Sequence, residues 1–233
     1  MAFTEQERAD LTARAAEIIA RYPKPRSALL PLLHLVQSKE GFVSTDGISF
    51  CAEQLGLSEA DVTAVVSFYT MYKRRPVGEY HVGVCTNTLC AIMGGDVIHA
   101  ELRDHLGVDG TEPTPDGKVS LERVECNAAC DYAPVVMVNW EFFDNMTPQS
   151  ARELVDGLRA GADIVPSRGA SRLVTWREAS TILAGYPDDL ATTGQTAGEP
   201  TLAGLRIAKE AGWTAGGSTP DADSAAAGNG GRS

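Results

Sequence analysis

The segment Cys85-Thr-Asn-Thr-Leu-Cys90, followed further along the chain by Cys126-Asn-Ala-Ala-Cys130, decides how this 233-residue sequence is interpreted. These two segments hold four of the five cysteines, in pairs spaced C-x4-C and C-x3-C. Thiolates are soft ligands, and four that converge bind either one zinc ion or an iron–sulfur cluster. Because 35 residues separate the two pairs, we expect them to come from different loops of one domain.

The length of the two cysteine loops distinguishes between the possible metals. Structural zinc prefers C-x2-C, in which one tight turn supplies two thiolates to a single small ion. The two irons of a 2Fe–2S cluster each need their own pair of thiolates, so two looser pairs suit that cluster better. Disulfides would require an exported protein, and residues 1–7 lack the basic start and apolar core of a signal peptide. The spacing favours the cluster over zinc, and disulfides are the least favoured reading.

The residues around both pairs resemble a known family. Glu79–Cys90 and Val124–Pro134 are similar to the two cysteine motifs of the thioredoxin-like 2Fe–2S subunit of respiratory NADH:quinone oxidoreductase, the peripheral 24 kDa or E subunit of proton-pumping complex I. Leu32–Gln37 and Ala64–Tyr72 resemble the helical part of that family, and the resemblance covers about residues 28–159. Carried over position by position, the family's cluster ligands fall on Cys85, Cys90, Cys126 and Cys130.

The resemblance implies a function and a set of partners. It implies one 2Fe–2S cluster on this chain, which exchanges single electrons with FMN on a separate NADH-binding flavoprotein subunit. A large iron–sulfur subunit of the same complex is the second implied partner. The chain is then a subunit of a proton-translocating NADH dehydrogenase and carries no complete active site itself. One departure is Asn127-Ala128, where many family members have Leu-Gly.

Three other functions stay open at this point. The same module occurs in NAD-linked hydrogenases and formate dehydrogenases, so the host complex is a separate question from the cluster. Four thiolates around a structural zinc would make a non-redox adaptor. A stand-alone ferredoxin would carry the cluster without a flavoprotein partner. The chain has no G-x-G-x-x-G segment after a strand and no P-loop, so no pattern in it predicts a site for NADH or flavin.

Charge and hydropathy limit the possible partners and the location. The net charge is −11, and residues 80–160 hold −8 of it, which disfavours nucleic acid and anionic lipid and favours a basic protein partner. No stretch reaches the roughly 18 apolar residues of a membrane span. Reduced cysteines and the absence of a signal peptide predict a reducing compartment. We therefore expect a protein of the cytosol or an equivalent reducing compartment, without direct membrane insertion. The resemblance implies that it lies at the cytoplasmic face of the membrane, as part of a membrane-bound complex.

The first third of the sequence predicts a small helical bundle over residues 1–78. Thr4 begins a capping box, and apolar residues follow at helical spacing until Pro23 and Pro25. Ser27 is expected to cap a second helix that stops at Gly41, and Ser58 a fourth. The third helix is predicted over Asp46–Leu55. Four short helices with one apolar stripe each are typical of a bundle.

Residues 79–160 alternate between strand and helix patterns and predict a compact α/β domain. This prediction supports the thioredoxin-like fold that the resemblance implies. Strands are expected at Tyr80–Val84, Val119–Val124 and Pro134–Val138, with Trp140–Phe143 as a hairpin partner of the third. Helices are expected to open at Gly94-Gly95 and after Thr147. Both cysteine pairs follow strands, so the loops at one end of the sheet are expected to form a single site.

Residues 161–233 are predicted to form an extended, largely disordered tail with short docking segments. Two apolar pieces interrupt it, Leu173–Trp176 with Ile182-Leu183, and Leu202–Trp213. Either piece can fold back on the domain or dock on a neighbouring subunit, and docking is favoured for the second. Residues 214–233, rich in Gly, Ala, Ser, Asp and Thr, are expected to be disordered.

Several other side chains are candidates for roles at or near the site. Cys51 lies on the apolar stripe of its predicted helix and is expected to be a buried structural thiol. The four histidines have no ligand spacing against the cysteines. Thr86 and Thr88 are candidate hydrogen-bond donors to cluster sulfur. The basic run Lys73-Arg74-Arg75 is either a solvated linker or a contact for an acidic partner.

Overall fold

The computed structural model describes residues 3–110, 112–191 and 193–213, so the disorder predicted for 214–233 lies outside the described residues. The chain divides into two units, residues 1–196 and 197–233, and each is described by itself. The helices are α1 Glu5–Ile19, α2 Leu29–Glu40, α3 Thr45–Leu55, α4 Glu59–Phe68, α5 Thr88–Ile92, α6 Gly95–Leu106, α7 Pro148–Ala160, α8 Trp176–Leu183 and α9 Glu199–Glu210. The strands are β1 Tyr80–Cys85, β2 Val119–Val124, β3 Val136–Val138 and β4 Glu141–Phe143.

The ends of the N-terminal helices follow from side-chain caps, with one exception. Capping boxes begin α1 at Thr4 and α4 at Ser58, as predicted. The predicted cap at Ser27 is wrong, because Ser27 lies inside a 3-10 turn, Pro25–Ala28, and α2 starts after Ala28 without a side-chain cap. Pro25 supplies the fixed φ angle that favours the first position of such a turn, so the turn begins before Ser27.

Helices α1 to α4 bury one apolar cluster, which confirms the predicted helical N-terminus. Cys51 is fully buried in it, as expected. The side chains that form its centre come from all four helices, namely Leu11, Ile18, Leu32, Leu33, Val36, Phe50, Val62 and Val66. Ala184, at the end of α8, completes the same cluster.

The sheet has the strand order β2-β1-β3-β4, with β1 parallel to β2 and the other neighbours antiparallel. Every residue of β3 is buried, and β4 forms the predicted hairpin with it. Val82 and Val84 of β1 pack with α6 and α7 on one face. Because side chains alternate along a strand, His81 and Cys85 point to the opposite face.

Helix α8 lies on that opposite face and holds the first apolar piece of the C-terminal region. Trp176 is 1% exposed. Its indole N–H donates to the Gly41 carbonyl at the end of α2 (2.7 Å), and its ring stacks on His81 and Trp140, with centroids 5.3 and 5.9 Å away. The first piece therefore folds back and contacts both the helices and the sheet.

The second unit contains α9, whose apolar residues Leu202, Leu205 and Ile207 are each about half exposed. Trp213, just after the helix, is 69% exposed. Within the described ranges, none of the helices combines the length and the apolar character that crossing a bilayer requires.

Candidate metal centre

The first cysteine pair is carried by a strand end and a short helix. Cys85 is the last residue of β1, and its backbone N–H donates to the Val135 carbonyl (3.1 Å). Cys90 lies in α5, a helix that the sequence pattern did not predict because its five residues are too few to show a period. Both side chains are 3% exposed. Cys85 and Cys90 therefore form the inner side of the site, shielded from solvent.

The second pair lies in a loop that follows β2. Cys126 comes two residues after the strand, and Cys130 opens the 3-10 turn Cys130–Tyr132. Their sulfurs are 3.8 Å apart, and both residues are exposed. Between them, Ala128 has a left-handed φ of 55° and its N–H donates to the Cys126 sulfur (3.4 Å). Glycine adopts this conformation at lower cost, so the loop geometry agrees with the Gly found at this place in many family members.

Sheet topology brings the two pairs together. Cys85 lies opposite Val124 in the parallel β1–β2 ladder, so the loops after both strands leave the same edge of the sheet. All four cysteines line one pocket of about 310 Å³, together with Asn87, Thr88, Leu89 and Ile92. In the described part of the chain, no three Cys, His, Asp or Glu side chains are arranged around one ion. The thiols lie as two pairs facing a common space.

A side-chain hydrogen bond ties the two cysteine loops to each other. The Asn87 amide, between Cys85 and Cys90, donates to the Glu125 carboxylate, immediately before Cys126, over 3.1 Å. No local pattern in the sequence identifies this contact, because it spans 38 positions. This bond links the two loops at the rim of the pocket, which Asn87 itself lines.

The environment of the pocket favours the protonated form of two of the four thiols. Burial raises the pKa of the Cys90 thiol to about 11, against a hydrogen bond from the Val135 backbone, and neighbouring Cys85 adds to the rise. The hydrogen bond and the charge of Cys126 raise the pKa of Cys130. A metal binds thiolates and displaces these protons. Four thiols that share one pocket are a donor set that fits a soft cationic group.

The remaining candidates take positions outside the donor set. Among the residues described, the side chains of Thr86 and Thr88 form no hydrogen bond to sulfur, and Thr88 only lines the pocket. His81 is buried and paired with Glu122 at 2.7 Å, so it is not directed at the cysteines. Cys51 lies in the helical cluster, far from the pocket in the packing.

Gly95, the first residue of α6, is required by close backbone packing under the site. A Cβ at this position would lie 2.9 Å from the Cys90 carbonyl oxygen and closer still to that of Cys85. Both obstacles are backbone, so relieving the clash moves the residues that carry the first pair. We expect Gly95→Ala to destabilise the chain by about 1–3 kcal/mol and to lower the iron content per chain, measured by denaturant unfolding and metal analysis.

Gly204→Ala is the matched control for this substitution. Gly204 lies within α9, and a Cβ there meets nothing within 4 Å. We expect this variant to keep the iron content of the unmodified chain and to match or slightly exceed its stability, because alanine favours a helix interior over glycine by about 0.5–1 kcal/mol. Equal iron content in the Gly95 and Gly204 variants would contradict the role assigned to Gly95.

Comparison with known proteins identifies similar sequences and folds. The family model described as thioredoxin-like [2Fe-2S] ferredoxin matches residues 15–159. The E subunit of NADH-quinone oxidoreductase from Mycobacterium bovis is 62% identical over 203 residues, which are 87% of this chain and 80% of that relative. NADH-quinone oxidoreductase subunit 2 of Thermus thermophilus is 38% identical over 148 residues, 62% of this chain and 82% of the relative.

A solved structure with a similar fold is the crystal structure of an NAD+-reducing [NiFe]-hydrogenase. It superposes with a TM-score of 0.51 at 17% identity and covers 57% of this chain. The match spans 23% of the hydrogenase chain. At this level of identity the likeness concerns the fold alone.

Proposed function

The chain belongs to the thioredoxin-like [2Fe-2S] ferredoxin family, and on that premise we propose that it is the electron-transfer E subunit of an NADH-quinone oxidoreductase, complex I. The observation that carries the proposal is the placement of two thiol pairs around one pocket at the carboxyl ends of parallel strands. Relatives with the E-subunit name extend over most of the chain, which favours this host over a hydrogenase or formate dehydrogenase.

Cys85, Cys90, Cys126 and Cys130 are the proposed ligands, with the first pair on one iron and the second pair on the other. When bound, a 2Fe–2S cluster supplies a centre that takes up and gives back one electron at a time. The protein's own contribution is to keep Cys85 and Cys90 away from water and to hold the second pair at the surface. The Ala128 amide supplies a hydrogen bond to sulfur, and such bonds tune iron–sulfur centres.

NADH and FMN belong to a separate flavoprotein subunit, and an apolar rim supports a contact at the site. Leu89 and Ile92 line the pocket beside the cysteines and are 42% and 76% exposed, while Met93 and Val97 next to them are more than half exposed. Exposed apolar patches mark interaction sites. A flavoprotein seated on this rim would bring the flavin near the cysteines. The large iron–sulfur subunit and the cytoplasmic face of the membrane complete the proposed assembly.

Purification of the tagged full chain from its native cells, with metal, sulfide and flavin analysis, tests the proposal. We expect about two irons and two acid-labile sulfides per chain, together with a co-purifying flavoprotein that oxidises NADH. A colourless chain with one zinc would contradict the cluster. A brown chain without flavin or partner subunits would contradict membership of the complex, and a hydrogenase partner would contradict the choice of host.

A further inference from the structure

We propose that a groove formed by the basic run Lys73-Arg74-Arg75 binds an acidic segment of another subunit of the same complex. The inference rests on the proposed function only in that it takes the partner to be a neighbouring subunit. The groove has a volume of about 480 Å³, and its lining includes Tyr69, Thr70, Lys73, Arg74 and Arg75. We call these five residues the basic groove.

The backbone of the basic groove is fixed before any partner arrives. The side chain of Gln37, fully buried in α2, donates to the Met71 carbonyl (3.2 Å) and accepts from the Lys73 N–H (2.8 Å). The Lys73 carbonyl accepts from the Val43 N–H (2.7 Å), and the Tyr72 hydroxyl donates to the Leu30 carbonyl (2.9 Å). A segment held in this way loses little freedom on binding, which distinguishes it from a solvated linker.

The charge of the basic groove is only partly compensated, because Arg74 and Arg75 have no acidic partner among the described residues. Among the described residues that line it, Glu122 is the one acidic side chain, and it is already paired with Lys73 (2.5 Å) and His81 (2.7 Å). Burial raises the pKa of Glu122, but the bonds from His81 and Lys73 outweigh that effect and hold it at about 2. Arg74 and Arg75 are exposed and form no ion pair with any residue in the described ranges. Two free guanidinium groups therefore face the solvent in a chain of net charge −11.

Exposed aromatic side chains lie at the end of the basic groove. Phe68, the last residue of α4, is 76% exposed, and Tyr69 is 45% exposed. Their rings meet edge to face with centroids 5.0 Å apart. Aromatic and Arg side chains together are typical of the energetic centre of protein interfaces. The exposed Arg74 and Arg75 attract negative charge locally, while the net charge of −11 repels a long polyanion such as nucleic acid. A short acidic protein segment is therefore the occupant that these observations favour.

Site-specific cross-linking in the assembled complex tests this inference. Phe68 is replaced by p-benzoylphenylalanine in the full chain in its native cells, and the cross-linked peptides are identified by mass spectrometry. We expect one segment of a different subunit, with more Asp and Glu than Lys and Arg. The same photo-reactive residue at Tyr22, an exposed aromatic outside the basic groove, is expected to give no such product.

Charge reversal supplies the second arm of the test. Arg74→Glu with Arg75→Glu is expected to lower the Phe68 cross-link yield about tenfold, because two attractive charge contacts become repulsive. Lys24→Glu with Arg172→Glu makes the same change of net charge at two exposed positions outside the basic groove, and is expected to leave the yield unchanged. Arg74→Gln with Arg75→Gln provides a milder pair of substitutions if the reversed pair does not fold.

Several outcomes would overturn the inference. The first is a cross-link to the wrong product: a second copy of the chain, the chain's own C-terminal residues, lipid, or a neutral or basic segment. The second is a cross-link yield that the charge reversal does not change. Iron content is measured on the same samples. A chain that lacks the cluster but still gives the cross-link would contradict the proposed function without contradicting the role of the basic groove. The failure of the proposed function and the failure of the further inference are therefore distinguishable.

Discussion

Replacing any one of Cys85, Cys90, Cys126 or Cys130 by alanine is expected to remove most of the iron and acid-labile sulfide from the purified chain. Each proposed iron depends on two thiolates, so one loss leaves an iron with a single protein ligand. The pocket offers little to substitute for it, because its other lining residues, Asn87, Thr88, Leu89 and Ile92, present amide, hydroxyl or apolar groups. Metal and sulfide analysis, with an electron paramagnetic resonance spectrum of the reduced protein, provides the measurement.

The fifth cysteine is an internal control for this series. Cys51 is fully buried among the helices, and burial together with the charge of Glu40 raises its pKa, so it stays a neutral thiol. We expect Cys51→Ala to keep the full iron and sulfide content and to lose only about 1 kcal/mol of stability from the small cavity. Full iron retained by any of the four single variants, or iron lost from the Cys51 variant, would contradict the ligand assignment.

Helix ends and strand positions were predictable because their causes are local. Thr4, Ser58 and Thr147 carry capping boxes in the structure at the positions that the sequence indicated. The same reasoning failed at Ser27, where Pro25 begins a tighter turn first. Helix α8 also begins with a capping box, Thr175 with Glu178. The capping box at Thr175 was visible in the sequence, but the helix was not predicted because residues 161–233 were expected to form an extended tail.

The sequence predicted that the two cysteine loops converge, but not the contacts that hold them in place. Two cysteine pairs, each after a strand, indicated one edge of a sheet, and the parallel pairing of β1 with β2 supplies that geometry. The bond between Asn87 and Glu125 and the close packing of Gly95 depend on distances across the fold. No periodicity in the sequence encodes them, because each involves residues that meet only after the sheet has formed.

The largest effect on stability is expected at Trp176, which contacts both the N-terminal helices and the sheet. Its ring contacts His81 on β1 and Trp140 beside β4, while its indole N–H bonds the Gly41 carbonyl at the end of α2. Its backbone N–H also donates to the Glu79 carbonyl (2.8 Å). Truncation to alanine therefore removes a fully buried ring and leaves a buried carbonyl without its partner.

We expect Trp176→Ala to destabilise the full chain by about 3–5 kcal/mol, which lowers the melting temperature by roughly 6–20 °C. Trp213→Ala is the matched control: its side chain is 69% exposed, so the same truncation should change stability by less than about 0.5 kcal/mol. Trp176→Phe keeps most of the ring but not the hydrogen bond, and its loss should fall between the two. Thermal unfolding followed by circular dichroism orders the three variants. Equal losses of stability in the Trp176→Ala and Trp213→Ala variants would contradict this prediction, because the buried indole would then contribute no more than the exposed one.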